Sequence, residues 1–237
     1  MTQEKIENAT LEAIYWWNRD EDYYHKYFSQ LDNIYKDKSA LDFFIKKIFD
    51  MFLREYSVRR NLSQGQKILN YFFDDIFKTS FFEDVKGGKI EVIDNVSELL
   101  KNYQNSTNRH TKSLLSKVAF LINPHKFYLY DSLAKKSIWL IFKDSNDLKQ
   151  IDLENYQCFI KQTELLRKSF SEKGLFKYSL DLLNKFKDTE SYNFFSQHID
   201  AFEMRIVDKY LWLFAQESED IKFDNSIYVD FKKYSTV

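Results

Sequence analysis

The chain has 237 residues, of which 44% are hydrophobic and 18% aromatic, and its formal net charge is −1. This composition excludes an intrinsically disordered chain, because so much apolar and aromatic surface favours burial in a core. Only four glycines and one proline occur, which argues against a hairpin-rich β fold. The sequence therefore predicts an all-α, multi-helix bundle.

The single cysteine, Cys158, cannot form an internal disulfide, and no Cys/His cluster offers four zinc ligands. We therefore expect no metal and no cofactor. The N-terminus lacks a basic start followed by an apolar stretch, and the apolar runs are too short to span a bilayer. A cytoplasmic protein without membrane contact is predicted.

Apolar residues recur at helical spacing in the first part of the chain. Residues 5–57 predict two or three helices, and the stripe from Leu41 to Phe52 follows a predicted Ser39 cap. The next helix begins with Ser63 and Gln66 in capping-box spacing. Together these segments form a predicted N-terminal helical bundle over residues 1–86.

The segment 87–94 contains two of the four glycines and a short β-prone run, which predicts a turn with room for a small strand pair. It is the best internal boundary, followed by a glycosylase-like helical region over 95–216 and a tail over 217–237. We expect these parts to form one compact unit.

The second region begins with a short helix capped by Asn95 and Glu98, and its apolar helix 112–122 stops before Pro124. Asp131 or Ser132 caps the next helix, and Gly174 is a predicted C-terminal stop. Three later segments have helical periodicity: 151–173, 176–187 and 190–216.

Positive charge is concentrated between Lys101 and Lys143. Seven lysines and Arg109 stand against one acid, Asp131, so the segment carries +7 and the rest of the chain −8. A basic face of this kind suits a nucleic acid, because binding to phosphates releases counterions. Solvated lysines that never converge are the alternative interpretation.

The stretch SKVAFLINPHKFYLYDS, residues 116–132, places Ser-Lys, an apolar helix, Asn-Pro and Tyr-Asp-Ser in order. It resembles the catalytic region of the helix-hairpin-helix (HhH-GPD) DNA glycosylase superfamily, and more closely that of uncharacterised bacterial relatives. The stretch RIVDKYLWL, residues 205–213, is similar to the closing helix of those proteins.

The resemblance implies an all-α fold in which Asp131 faces the sugar of a nucleotide turned out of duplex DNA. Cleavage of an N-glycosidic bond passes through an oxocarbenium-like state, which a fixed carboxylate stabilises. A lysine amine could instead attack the sugar. The implied activity is hydrolytic removal of a damaged or modified base, in DNA repair or antiviral defence.

Two lysines compete for the role of nucleophile or phosphate contact. Lys112 lies 19 positions before Asp131, and Lys117 belongs to the Ser-Lys pair. The two are five positions apart, so about 140° separates them around a helix with 3.6 residues per turn. They cannot both point at one sugar.

Other residues are predicted to contact the DNA. The polar and basic ones near the backbone are Asn108, Arg109, His110, Thr111, Lys126 and Lys135. Any of the four tryptophans could provide a platform for the flipped base, and Trp139 and Trp212 are the predicted pocket residues.

The family hairpin normally carries a glycine-rich turn that grips phosphate, whereas this chain has no glycine between Gly88 and Gly174. The polar stretch NSTNRHTKS, residues 105–113, would substitute with side chains. A non-catalytic module that keeps the glycosylase-like shape is therefore an alternative.

A second alternative comes from NRDEDYYHKYF, residues 18–28, in which Arg19 and His25 resemble the Arg-polar-x4-His motif of HEPN ribonucleases. Such enzymes cleave RNA by proton transfer and phosphate stabilisation, usually across a dimer. Acidic residues inside this stretch oppose phosphate binding.

Overall fold

The computed structural model describes residues 3–62, 66–104, 111–143, 152–187, 192 and 196–217. These residues form helices joined by turns, and none of them lies in a β-strand. The predicted all-α fold is confirmed.

Twelve α-helices are described, numbered here in chain order: α1 (Gln3–Lys26), α2 (Leu31–Ile34), α3 (Lys38–Phe43), α4 (Asp50–Glu55), α5 (Gln66–Asn70), α6 (Phe82–Lys86), α7 (Val92–Gln104), α8 (Lys112–Ile122), α9 (Ser132–Phe142), α10 (Tyr156–Glu172), α11 (Leu175–Leu183) and α12 (Ile199–Glu217). Two π-helical segments extend neighbouring helices, π1 (Phe44–Phe49) and π2 (Tyr71–Phe81). Short 3-10 turns occur at Phe28–Gln30, Arg59–Asn61 and Asn184–Phe186.

Two predicted helix starts are wrong. The helix expected behind a Ser39 cap is capped by Asp37, whose Oδ1 accepts hydrogen bonds from the backbone amides of Ser39 at 2.8 Å and Ala40 at 3.2 Å. The helix expected at Asn95 begins three residues earlier, at Val92. In both cases the chain offers several polar residues close together, and the pattern alone does not choose among them.

The strand pair that the sequence allowed at residues 87–94 does not form. Gly87 and Gly88 end α6 in a turn, Gly88 has a φ of 75°, and helix α7 starts at Val92. Positive φ is inexpensive for glycine because it has no Cβ. The glycines therefore serve a helix-to-helix turn instead of a hairpin.

Several predictions concern residues beyond the described ranges. The Ser63 cap falls in 63–65, the polar stretch falls largely in 105–110, and the tail 217–237 is described only at Glu217. The predicted division of the chain into regions 1–86 and 95–216 stays a prediction. The buried apolar residues between Ile6 and Leu211 form one cluster.

The first and last described helices pack together. Helix α1 contacts α12, α11 and α8, and Trp17 of α1 meets Phe120 of α8 and Phe202 of α12 edge to face, at centroid distances of 6.2 and 5.6 Å. Edge-to-face geometry is favourable because it brings the positive ring edge to the negative ring face. This packing positions α1, α8 and α12, which are three of the helices that line the candidate site.

The π-helical segments form an aromatic part of the core. Phe49 of π1 packs edge to face on Phe73 of π2 at 4.8 Å, and Phe44 does so on Phe73 at 6.0 Å. All three rings are buried. Within the described ranges, no helix is both long enough and apolar enough to cross a membrane.

Phe43 and Phe44 provide a test of this core, because they are neighbours with opposite exposure, 58% and 2%. Phe44→Ala is expected to lower the free energy of unfolding by about 3 to 5 kcal/mol, since it removes buried contacts and leaves a cavity. Phe43→Ala should change it by no more than about 0.5 kcal/mol. Urea denaturation measures both, and equal losses would contradict the described packing.

Candidate functional site

A cavity of about 700 Å³ opens between α1, the end of α4, α8, the start of α9 and α12. Ligand sites in proteins typically have volumes of about 300 to 1,000 Å³. Its lining includes both acids and bases as well as aromatic rings. Among the predicted catalytic residues, Asp131 and Lys117 lie on it.

The segment between α8 and α9, residues 123–131 and hereafter the linking segment, delivers Asp131 to the cavity wall. At its start, Asn123 Nδ2 donates hydrogen bonds to the carbonyl oxygens of Val85 and Lys86, both at 3.2 Å. Near its end, the backbone N–H of Tyr130 donates to Ser116 Oγ of α8 at 3.0 Å. The linking segment is thereby fixed at both ends.

Aromatic residues bury the middle of the linking segment. Phe127, Tyr128 and Tyr130 are at most 4% exposed. The Tyr156 hydroxyl of α10 donates to the carbonyl oxygen of Tyr128 at 2.6 Å, and the Tyr130 hydroxyl donates to Glu154 Oε2 at 3.1 Å. The aromatic side chains of the linking segment therefore fix the position of Asp131.

Of the two caps that the sequence allowed, Asp131 and Ser132, Asp131 is the N-cap of α9. Its backbone is extended, and its Oδ1 accepts a hydrogen bond from the backbone N–H of Ala134 at 2.8 Å. A cap of this kind satisfies one of the amides that a helix start leaves without a partner. It also holds the carboxylate in place on the cavity wall.

Lys117 of α8 faces the same cavity, and its Nζ donates to Ser113 Oγ at 3.0 Å. Burial lowers the pKa of the Lys117 ammonium, and the negative charges of Asp131 and Asp208 oppose that shift. The Lys117 amine and the Asp131 carboxylate are thus electrostatic neighbours.

Lys112 lies elsewhere. Its Nζ pairs with Asp94 Oδ1 at 2.6 Å and donates to the carbonyl oxygen of Glu154, and it is not part of the cavity lining. The expectation that only one of the two lysines can reach a common ligand agrees with this arrangement. Of the two, Lys117 lines the cavity.

The predicted DNA contacts divide into three groups. Asn108, Arg109 and His110 lie outside the described residues. Lys135 lines the cavity and pairs with Glu154, and Lys126 is exposed. Thr111 is fully buried, and its hydroxyl donates to Ser97 Oγ at 3.0 Å. The prediction that Thr111 contacts a DNA backbone is therefore wrong, because a buried core hydroxyl cannot reach it.

Of the two predicted pocket tryptophans, Trp212 of α12 lines the cavity. Trp139 of α9 instead packs against the hydrophobic core, half-buried. Trp16 of α1 is the second tryptophan on the lining. Which tryptophan reaches the cavity depends on how α1 packs on α12, and local sequence does not specify that packing.

A buried ionic network, made of Asp20, Tyr56, Arg205 and Asp208, lies at the cavity. Arg205 Nε is 2.9 Å from Asp20 Oδ2, and Arg205 Nη1 donates a hydrogen bond to Asp208 Oδ2 at 2.8 Å. The Tyr56 hydroxyl donates to Asp20. Burial raises the pKa of Asp20, whereas the positive charge of Arg205 opposes the rise.

Lys209, one residue after the network, was not predicted from the sequence. Its side chain is 8% exposed and lines the cavity, and its Nζ is 3.8 Å from Asp208 Oδ2. It lies 4.3 Å from the centroid of Trp16 and 5.5 Å from that of Trp212. Burial lowers the pKa of Lys209 to about 8, with help from the charge of Arg205.

A sequence signal for this face does exist. Arg205, Asp208, Lys209 and Trp212 have the spacing i, i+3, i+4, i+7, and the other residues between positions 204 and 214 are apolar or aromatic. Such residues share one helical face. A charged stripe on a largely buried helix indicates a polar site.

The Arg19 and His25 pair of the ribonuclease alternative has separate surroundings. Arg19 Nε is 3.8 Å from Glu55 Oε2, and its guanidinium lies 4.7 Å from the Trp16 ring centroid. His25 is exposed, 3.9 Å from Glu21 Oε1. The two residues are six positions apart on α1, which separates them by about 9 Å along the helix axis.

Among the residues that the structure describes, no group of three or more His, Cys, Asp and Glu side chains is arranged to hold a metal ion. Comparisons with protein-family models, curated proteins and solved structures give no match. The resemblance to glycosylases thus stays a prediction.

Asp131 allows its cap and its charge to be separated. Asp131→Asn keeps a side-chain oxygen for the Ala134 N–H, so it should alter the free energy of unfolding by only a few tenths of a kcal/mol. Asp131→Ala removes the acceptor and should cost about 1 kcal/mol. Thermal or urea unfolding tests this, and an equal cost for both variants would argue against a capping role.

Lys209 should make stability depend on pH. Its folded pKa is lowered to about 8 from an ordinary 10.5. Between these values the unfolded chain binds more protons than the folded one, so the free energy of unfolding rises with pH. From about pH 7 to about 9.5 this contribution is about 2 kcal/mol.

Lys209→Met removes the pH-dependent contribution of this lysine. The free energy of unfolding of wild type, relative to that of the variant, should therefore rise by about 2 kcal/mol from about pH 7 to about 9.5. Urea denaturation of both proteins at several pH values measures it. A difference that stays constant with pH would show that the Lys209 pKa is not lowered by folding.

Proposed function

We propose that this protein is a DNA glycosylase that removes a damaged or modified base from a nucleotide turned out of duplex DNA. One observation carries the proposal: Asp131 is held by its capping hydrogen bond on the wall of a nucleotide-sized cavity that also contains the Lys117 amine and the Trp212 ring. The resemblance of residues 116–132 to the glycosylase catalytic region supports it independently.

Asp131 supplies the fixed negative charge in this proposal. Loss of the base leaves positive charge on the sugar, and a carboxylate oriented in advance stabilises that charge without reorganising. The Ala134 amide provides this orientation. The aromatic wall offers faces on which an extruded base can stack.

The cavity lining is close to balanced in charge. Its cations are Arg60, Lys117, Lys135, Arg205 and Lys209, and its carboxylates are Glu55, Asp131, Glu154 and Asp208. Such a lining suits a neutral base and its sugar better than a chain of phosphates. In the proposal, the phosphates are held by the wider basic segment 101–143, through charges such as Lys126.

The proposed setting is cytoplasmic, in repair or antiviral defence, and the reaction needs no cofactor because the carboxylate and water suffice for hydrolysis. A non-catalytic DNA-binding module is the alternative that shares the same fold and basic segment. The two differ in whether neutralising Asp131 has any effect beyond stability.

The proposal is tested by measuring abasic-site formation on duplex pools that carry damaged or naturally modified bases. Asp131→Asn should reduce base release by about 100-fold or more, because it removes transition-state charge stabilisation. DNA binding should persist and weaken with added salt. Asp37→Asn is the matched control, because it makes the same change at an exposed N-cap outside the cavity.

Base release by wild type and Asp37→Asn, but not by Asp131→Asn, would support the enzyme. Salt-sensitive binding without base release from any pool would favour the non-catalytic module. If the protein neither binds DNA nor releases a base from any pool, a DNA function is contradicted. The next assay would then compare RNA cleavage by wild type and His25→Ala.

A further inference from the structure

Lys209 is the least satisfied amine of the cavity. Among the described residues, its Nζ has no hydrogen-bond acceptor within 3.5 Å, and its nearest carboxylate oxygen, Asp208 Oδ2, is 3.8 Å away. That same oxygen accepts a shorter hydrogen bond from Arg205, at 2.8 Å. The carboxylate is therefore committed mainly to the guanidinium and compensates little of the charge on Lys209.

The other lysines near the cavity have closer polar partners. Lys117 donates to Ser113 Oγ at 3.0 Å and is attracted by Asp131. Lys135 pairs with Glu154. Contact with an acceptor favours the protonated form of a lysine, which has no lone pair with which to attack, and at Lys117 the charge of Asp131 opposes the lowering of the pKa by burial.

The surroundings of Lys209 favour loss of that proton. Its side chain is 8% exposed, and Arg205 lies on the same helical face. Burial and this neighbouring cation both lower the pKa of Lys209. Desolvation next to another cation is a recognised way of activating a lysine nucleophile.

Two tryptophans flank the amine, with Trp16 at 4.3 Å and Trp212 at 5.5 Å from Nζ to ring centroid. Aromatic faces attract cations, so they oppose deprotonation of the free lysine. A protonated imine carries the same positive charge. The rings would therefore also stabilise a covalent, cationic adduct formed on this nitrogen.

We propose that Lys209 is the amine of this cavity that forms an imine with its ligand, and that the ligand is the aldehyde of the deoxyribose left after base removal. The identity of the ligand rests on the proposed function. Lys117 then remains beside Asp131 with its hydrogen bond to Ser113, and α12 supplies the reactive nitrogen.

The step balances without any further reactant. The Lys209 nitrogen lone pair bonds to the C1′ carbonyl carbon of the ring-opened sugar, and the carbonyl oxygen leaves as water with both amine protons. The imine takes one proton from solvent and becomes the cation that the tryptophans flank. Water can reverse the reaction and regenerate the amine.

The proposal is tested with duplex DNA that contains one abasic site, incubated with wild type in the presence of sodium borohydride. Borohydride delivers hydride to the imine carbon and converts it to a stable amine link. Peptide mapping by mass spectrometry should then locate the link at Lys209. Wild-type mapping requires no substitution, so it does not depend on any variant folding.

Variants provide the second readout. Lys209→Arg keeps a positive charge but cannot form an imine, and should abolish the borohydride-trapped complex. Lys161→Arg makes the same change at an exposed position on α10 and should leave trapping unchanged. Circular dichroism and urea denaturation confirm that each variant is folded.

A trapped link at Lys117 or another lysine, or base release with no trapped link, would overturn the assignment of Lys209 while leaving the proposed glycosylase intact. Failure of both base release and trapping would instead remove the proposed function. A small aldehyde, glycolaldehyde with sodium cyanoborohydride, then tests the amine by itself.

In that assay Lys209 should be labelled about tenfold or more faster near neutral pH than a lysine with the ordinary pKa of 10.5, because folding lowers its own pKa to about 8 and leaves more of the amine unprotonated. Preferential labelling would support a reactive Lys209 with a different carbonyl ligand. Uniform labelling would overturn the inference altogether.

Discussion

The ion pair between Arg205 and Asp20 is the interaction on which the rest of the site depends. The two residues are 185 positions apart in the chain, and both are almost completely buried. Buried charges are expensive to desolvate, and they are tolerated only when their partners and hydrogen bonds are well placed. Asp208 and Tyr56 each form a hydrogen bond with a member of this pair, whereas Arg205 Nε and Asp20 Oδ2 are held together at 2.9 Å by charge without hydrogen-bond geometry.

The network makes the cavity a product of long-range packing. It joins α1 to α12 and to Tyr56 at the end of α4. The part of the cavity that Tyr56, Arg205 and Asp208 line therefore forms only when these helices pack together. The network also affects the surroundings of Lys209, since the carboxylate nearest to that amine is already held by Arg205. Arg205 thus limits the charge compensation that its neighbour receives.

Features that depend on neighbours in sequence could be predicted. The helical fold follows from apolar spacing and scarce turn residues, and the Asp131 cap follows from a proline-bearing segment before an apolar helix. Helix geometry alone separated Lys112 from Lys117. Each of these depends on a few consecutive residues and on backbone rules that apply locally.

Features that depend on distant pairing could not be predicted. Lys112 is directed to Asp94, Trp16 takes the position expected for Trp139, and Thr111 enters the core. The π-helical segments were missed for a different reason. In a π-helix each hydrogen bond reaches one residue further than in an α-helix. The buried residues Phe72, Phe77 and Phe81 of π2 are therefore five and four positions apart, and a search for α-helical spacing does not identify such a segment.

The cap on α9 has a consequence for the way a ligand can be recognised. A carboxylate has two oxygens, and at Asp131 the backbone N–H of Ala134 occupies Oδ1. Rotating the side chain to follow a moving ligand would break that bond and expose a helix end without its cap. Asp131 therefore presents Oδ2 and the remaining lone pair of Oδ1 from a fixed position, so a ligand that bound there would have to adjust to the protein.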